Sequence, residues 1–304
     1  YINIYLNIIF NIKMISNKKM KNIPFYYILS IFLLSFSKST KSIRIMTFNI
    51  HFGNTINNEY DILNISQVIK DSKSDIVCLQ EVDNNWSTRS KYESLISIIA
   101  KNANLPHYIY NPIYNKTSSH GHHFPNEQFG TAILSRYKIL EFHDYILSRW
   151  SSQKGDPQPG DPDFPSQYHG FGHLILDIDG TNFSVYNTHL DYRADPPKGF
   201  NETMRAIQVR EMLDIINFKY PTALTGDMNA DFSAKDVFDP LLNKFDDAWS
   251  IAGEGEGLSF PCINPYIRID YILVNRQSGI KVKNAFLIDT QVSDHLPVVA
   301  DIDF

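Results

Sequence analysis

Six short polar stretches end or open apolar runs in this sequence, and their residue types suit one chemistry. They are Asn49, Gln80-Glu81, Asn187-Thr188-His189, Gly226-Asp227-Met228-Asn229, Arg268-Ile269-Asp270 and Ser293-Asp294-His295. Brought to one place, the carboxylates of Glu81, Asp227, Asp270 and Asp294 would repel one another strongly. Such a cluster is tolerated beside a cation or paired with histidines. Oxygen donors without thiolates favour Mg²⁺, Mn²⁺ or Ca²⁺ over zinc. His189 and His295 add imidazoles that titrate near neutrality and can move protons. Hard cation, acids, amides and two histidines together suit hydrolysis of a phosphate ester, in which the metal neutralises phosphate charge and a base activates water.

These groups meet only if the runs that carry them are strands ending on one rim. Ile43–Ile50 alternates apolar and polar residues and is rich in β-branched side chains, as a strand does. Asp75–Val82 is a continuous apolar run ending in acids, the pattern of a strand buried on both faces. Strands are also expected over Phe129–Leu134, Tyr137–Leu147, Thr222–Asp227, Arg268–Val274, Val282–Ile288 and Val298–Ile302. His173–Asp179 and Asn182–His189 form a hairpin turning at Asp179-Gly180. Helical spacing marks Ile62 to Ile69, Leu95 to Ile99, and Thr203–Phe218. Tyr145–Gly172, rich in Pro, Gly and Asp, reads as one long loop. No linker or repeat divides residues 43–304, which are expected to form a single domain.

Composition narrows the partners. The 304 residues carry 28 basic and 33 acidic side chains, a net charge of −5. Residues 1–42 hold six lysines and no acid, so residues 43–304 carry 22 basic against 33 acidic groups, a net of −11. That surface disfavours nonspecific nucleic-acid binding, which runs on phosphate neutralisation. Cys78 and Cys262 are too few for a disulfide framework or a four-thiolate zinc site. Cys78, mid-run among apolar residues, reads as core. With Met14 or Met20 as the start, lysines 18, 19 and 21 precede an apolar run from Ile23 to Phe36, followed by Ser35 and Ser37 spaced as at a signal-peptidase site. Residues 1–42 are therefore expected to be a secretory signal or a spurious N-terminal extension. The protein is then secreted or in the endomembrane lumen, or is anchored through residues 23–36. Sequons at Asn64, Asn85, Asn115, Asn182 and Asn201 agree with export but are too common in so Asn- and Ser-rich a chain to establish it.

The ordered series TFNIH, LQEVD, GTAILSR, NTHLD, GDMNAD, RIDYIL and SDHLPV resembles the endonuclease/exonuclease/phosphatase superfamily of Mg²⁺-dependent phosphodiesterases, from about Ile43 to Phe304. The resemblance implies an α/β fold, a four-layer α/β/β/α sandwich of two packed mixed sheets flanked by helices, with the active site at one edge. It implies Glu81 as principal metal ligand, Asn49 beside it on metal or phosphate, and Asp294 as either a second metal contact or part of the site's hydrogen bonding. It further implies His295 as acceptor of the water proton, oriented by Asp270. Asp227 and Asn229 would position the nucleophile, and His189 would hold phosphorane charge or protonate the leaving oxygen. Whether Asp227 or His295 is the base stays open. The cofactor is Mg²⁺, with Mn²⁺ as the alternative.

Tyr192-Arg193, directly after NTHLD, are candidates for phosphate contact, against the reading of an exposed loop arginine. His120, His122 and His123 read as solvated or substrate-facing rather than metal-binding. Arg268 reads equally as a partner of nearby acids, and Trp86, Trp150 and Trp249 as pocket or core. Abasic-site endonucleases carry an acid where this chain has His51. The Ile-Asp-Tyr form and the wording NTHLDYR and GDMNAD resemble the secreted hydrolase group linked to GPI-anchor lipid remodelling. The expected substrate is a lipid-linked or small phosphodiester, met by a monomer, with a membrane surface as a candidate partner. A secreted nuclease is the alternative, and a phospholigand-binding pseudoenzyme is the alternative of another class.

Overall fold

The structure is a computed structural model that describes residues 40–117, 126–148, 169–193 and 201–304. Twelve strands are described, in two six-stranded sheets. They are β1 (Ser42–Asn49), β2 (Ile76–Asn84), β3 (His107–Thr117), β4 (Asn126–Ser135), β5 (Lys138–Leu147), β6 (His169–Ile178), β7 (Thr181–His189), β8 (Thr222–Asp227), β9 (Phe245–Asp247), β10 (Asp270–Asn275), β11 (Lys281–Leu287) and β12 (Val298–Asp303). The helices are α1 (Ile62–Ser72), α2 (Leu95–Ala103), α3 (Met204–Ile215), α4 (Lys235–Leu242) and α5 (Ala248–Ala252). The strand orders are β11-β12-β1-β2-β4-β3 and β5-β6-β7-β8-β10-β9.

Alternation along each strand builds the layers. Ile43 and Ile45 of β1 face the second sheet, where they meet Leu174, Phe183, Val185 and Ile272. Met46 and Phe48 face the other way, onto Ile65 and Ile69 of α1 and Leu95 and Ile99 of α2. Beyond the second sheet, Val209 and Met212 of α3 and Phe238 and Leu241 of α4 cover Tyr186, Leu224 and Tyr271. The result is α/β/β/α, as the resemblance implies. Residues Lys41–Phe304 form one compact unit. Both cysteines are buried and free, with Cys78 in the core between the sheets.

Most neighbouring strands run antiparallel, but β1–β2 and β7–β8 are parallel. Helices α1 and α3 lie in the two crossovers, so the carboxyl ends of each parallel pair share a rim. Strand β10 runs antiparallel to β8 and begins there, with Asp270 opposite Asp227. Strand β12 runs antiparallel to β1, so the segment leading into it starts at the same rim. At the other end of β1, Lys41 and Phe304 exchange two backbone hydrogen bonds of 3.0 Å.

The β6–β7 turn matches its sequence, with Asp179 at φ 48° and Gly180 at φ 82°, the two positive angles of a type I′ hairpin. Thr203 caps α3, its hydroxyl accepting from the Ala206 N–H at 3.2 Å. Other elements depart from expectation. Strand β3 was not expected, because His107, Asn111 and Pro112 obscure its alternation. As an edge strand it tolerates the proline, which sits at a register shift between Pro112 and Tyr114. Helices α4 and α5 and strand β9 are also additional. Strand β6 reaches back to His169, so the loop expected over Tyr145–Gly172 is shorter at both ends; residues 149–168, Trp150 among them, lie outside the described residues. So do residues 1–39 and His120, His122 and His123. Among the described residues no helix is long and apolar enough to cross a membrane.

Candidate active site

The rim is built from the ends of both sheets. Asn49, 1% exposed at the end of β1, donates from Nδ2 to Asp227 Oδ2 at 3.0 Å and so ties the first sheet to the second. Its Oδ1 accepts the His51 N–H at 3.1 Å, and its carbonyl accepts from Ser293 Oγ at 2.7 Å. Beneath it, Gln80 Nε2 donates to Asn187 Oδ1 at 2.7 Å, and Asn187 Nδ2 donates to the carbonyls of Leu79 and Ala132. Through Asn187 this buried amide pair is held by the backbone of the first sheet, which ties the two sheets together beneath the site.

Glu81 reaches the rim through a β-bulge. The β2–β4 register shifts between Leu79 and Val82, and Glu81 adopts φ 55°. Leu79 and Val82 both face the helix-side core, so the extra residue frees Glu81 from it. A non-glycine residue in this left-handed region costs about 1–3 kcal/mol, a cost that recurs at functional sites. Burial pushes the Glu81 carboxyl up to about 7, with Asp294 and Asp227 adding to the rise and His295 and Asn49 opposing it.

Across the rim, His189 pairs in register with Asp227, and its Nε2 stands 3.5 Å from Asp227 Oδ2. Gly226 permits this approach: its φ is +152°, and a Cβ there would lie 2.3 Å from the Thr188 carbonyl oxygen. Gly226→Ala is expected to destabilise the fold by about 2–4 kcal/mol through this overlap and the strained backbone. A urea midpoint within about 0.5 kcal/mol of wild type would show that the β7–β8 contact yields easily.

Asp227 Oδ1 accepts the Asn229 N–H at 2.9 Å. Asn229 itself sits at φ 48°, its Nδ2 donating to the Leu190 carbonyl at 2.9 Å and its own carbonyl held by Arg205. His295 Nδ1 lies 2.9 Å from Asp270 Oδ2, which also accepts from Ser259 Oγ at 2.7 Å. With Nδ1 donating to Asp270, the His295 ring is oriented so that Nε2 stands 3.8 Å from Asp227 Oδ2. Phe260 packs on the imidazole, ring centroids 4.8 Å apart. Burial disfavours the His295 charge, but the carboxylates of Asp270, Asp227 and Asp294 outweigh it and push the imidazole up to about 10. Burial raises Asp270 to about 6, with His295 opposing and Asp227 adding.

The structure thus joins Asn49, His189, Asp227, Asn229, Asp270 and His295 by contact, and couples Glu81 and Asp294 to them by charge. Tyr192 and Arg193 follow on the segment after β7. Tyr192 is 70% exposed, and Arg193 turns to Asp191, Nη1 to Oδ2 3.5 Å, with its guanidinium 5.1 Å over the Tyr192 ring. Arg268 binds Asp247 at 2.8 Å and lies over Phe232 and Tyr271, a structural role. Trp86 packs with Tyr114 and Phe129, and Trp249 Nε1 donates to the Gly255 carbonyl. Sequence reasoning missed Ser259 and Phe260, which hold Asp270 and His295; isolated in an irregular segment, they carry no spacing signal. The pairing of Gln80 with Asn187 had one: each is a buried amide one or two residues before a rim group.

The rim's donors fit a divalent cation: Glu81, buried and pressed by the charges of Asp294 and Asp227, is the carboxylate a cation would relieve, and a second cluster of donors stands beside it. Asp227, Asp270 and His295 each offer one ligand atom within 4.8 Å of the others. Asp270 Oδ1, buried, has no hydrogen-bond partner, and the set around it is rich in oxygen.

The family model described as endonuclease/exonuclease/phosphatase matches residues 46–295. An endonuclease/exonuclease/phosphatase from Beutenbergia cavernae superposes with TM-score 0.66 at 20% identity, covering 86% of this chain and 71% of its own. One from Bacteroides vulgatus gives TM-score 0.63 at 20% identity over 86% and 98%. A mannosyl-6-phosphatase from Bacteroides thetaiotaomicron gives 0.58 at 17% identity over 86% and 100%. At these identities the likeness concerns the fold. No curated protein matches the chain in sequence.

Proposed function

The chain belongs to the endonuclease/exonuclease/phosphatase family, and from that premise we propose that it is a Mg²⁺-dependent hydrolase of a lipid-linked or small-molecule phosphodiester. Mn²⁺ is the alternative ion. The observation that carries the reading is the Asp270–His295–Asp227–Asn49 chain of contacts, which sets two carboxylates, an imidazole and an amide edge to edge across both sheets.

A cation bound here would be held by Glu81 and Asp294 with Asn49 beside them, and would supply charge neutralisation to the phosphate oxygens. The protein's own groups do the rest. Asp270 orients the His295 ring. The proton of the attacking water passes to Asp227 or His295, which stand 3.8 Å apart. Asn229 binds a phosphate oxygen, and His189 serves the leaving oxygen. The net charge of −11 over residues 43–304 favours a small or lipid-linked substrate over a nucleic acid. The basic-then-apolar order of residues 18–36 supports export to the lumen or cell exterior, where the protein acts as a monomer, free or held at a membrane surface.

The test is the full-length protein assayed on bis(p-nitrophenyl) phosphate, sphingomyelin, phosphatidylinositol and DNA. We expect hydrolysis of the aryl diester and a lipid, lost with EDTA and restored by Mg²⁺. Activity that survives EDTA sinks the metal dependence. Cleavage of DNA with no lipid turnover selects a nuclease.

A further inference from the structure

His51 is the one rim imidazole that the hydrolytic machinery above leaves unused. Its main chain already serves the site, because the His51 N–H holds Asn49 Oδ1 and leaves Asn49 Nδ2 for Asp227. To do this His51 adopts φ 44° and Phe52, next in the chain, φ 58°. Two successive non-glycine residues in the left-handed region are a costly way to make a turn. The turn brings the imidazole inward, its side chain 17% exposed, with Nδ1 3.9 Å from Asp294 Oδ1. That is too long for a hydrogen bond. Nδ1 is buried and has no hydrogen-bond partner. Buried ring nitrogens without a partner are rare and call for an explanation such as an ion.

We propose that His51 is a nitrogen ligand to the divalent cation of this rim, and that it shifts the site's preference from Mg²⁺ towards Mn²⁺. The proposal rests on the reading of Glu81 and Asp294 as cation ligands and adds a donor to it. An all-oxygen set suits Mg²⁺, which binds carboxylate and water oxygens. One imidazole in the set favours a first-row transition ion over Mg²⁺, and Mn²⁺ is the member of that series that carboxylate oxygens also suit. Asp294, 3.9 Å away, is placed to share an ion with Nδ1 rather than to bond it directly.

The decisive experiment is pulsed EPR on the full-length protein loaded with Mn²⁺, alongside Mn²⁺ and Mg²⁺ titrations of wild type, His51→Asn, His295→Ala and Glu81→Gln. Asparagine is the replacement of choice because it tolerates the left-handed backbone and keeps the N–H to Asn49. Wild type is expected to show a histidine-nitrogen coupling to Mn²⁺ that persists in His295→Ala and vanishes in His51→Asn. The ratio of Mn²⁺ to Mg²⁺ affinity is expected to fall about tenfold in His51→Asn. A Mn²⁺ that depends on Glu81 but shows no nitrogen coupling in wild type, or keeps its coupling in His51→Asn, overturns the role of His51 alone. Mn²⁺ binding that Glu81→Gln leaves unchanged overturns the cation reading of the rim, and His51 with it.

Discussion

His295→Ala will lower kcat/KM for an aryl phosphodiester by about three orders of magnitude, and Asp270→Asn added to it will cost little more. The reason is the buried contact of His295 Nδ1 with Asp270 Oδ2 at 2.9 Å. Asp270 lies behind the imidazole, opposite Asp227 in register, and acts through His295. Removing either partner disables the same proton position, so the two losses do not add. A double-mutant cycle in which they do add would break the dyad. The same pair has a stability signature. His295 is held up to about 10 against an ordinary 6.5, so its contribution is complete below the ordinary value and is lost as pH rises through the raised one. The penalty of His295→Ala on the urea midpoint should therefore be largest near pH 6 and shrink above pH 10. A penalty that does not change with pH would mean that the imidazole is not held charged.

Glu81→Gln will make the cation-free protein more stable at pH 8, by about 2–3 kcal/mol, while abolishing hydrolysis. Glu81 has its carboxyl raised from 4.5 to about 7 by burial, reinforced by Asp294 and Asp227. A carboxyl raised on folding gives stability that is full below its unfolded value and is lost as pH climbs through the folded one. Wild type therefore loses stability between pH 4.5 and 8, and a glutamine, which cannot ionise, does not. The two proteins should converge near pH 4.5. Mg²⁺ should raise the wild-type melting temperature at pH 8 and leave Glu81→Gln unmoved. Thermal melts with EDTA and with Mg²⁺ at both pH values check this. A glutamine variant less stable at pH 8, or equally stabilised by Mg²⁺, would remove Glu81 from the cation site.

The sandwich was legible in the sequence wherever periodicity was clean. The alternation of Ile43 to Phe48 and the apolar run of Ile76 to Leu79 follow from which faces those strands bury. The rim was legible because each apolar run stops at a polar group, and parallel pairing puts such ends together. Periodicity cannot announce an interruption, so the bulge at Glu81 and the left-handed turn at His51 and Phe52 were invisible: each depends on pairing partners far along the chain. Strand β3 was hidden because Asn111, a polar residue within its run, is buried there and accepts from Thr131 Oγ1 at 3.0 Å. At Tyr192-Arg193 the chain leaves the core. Leu190 is the last residue of that stretch in the core, and the buried carboxylate of Asp191 holds Arg193.

The paired backbones of Lys41 and Phe304 close the first sheet at the end of β1 away from Asn49. Eight residues of strand separate that seam from the rim, roughly 25 Å at about 3.3 Å per residue. Lys41 and Phe304 therefore meet at the end of the first sheet away from the rim. A tag or fusion partner joined at Lys41 or Phe304 is held about one strand length from the rim. A chain joined across the seam and reopened in an exposed turn such as Gln277–Gly279 would keep every rim residue in place.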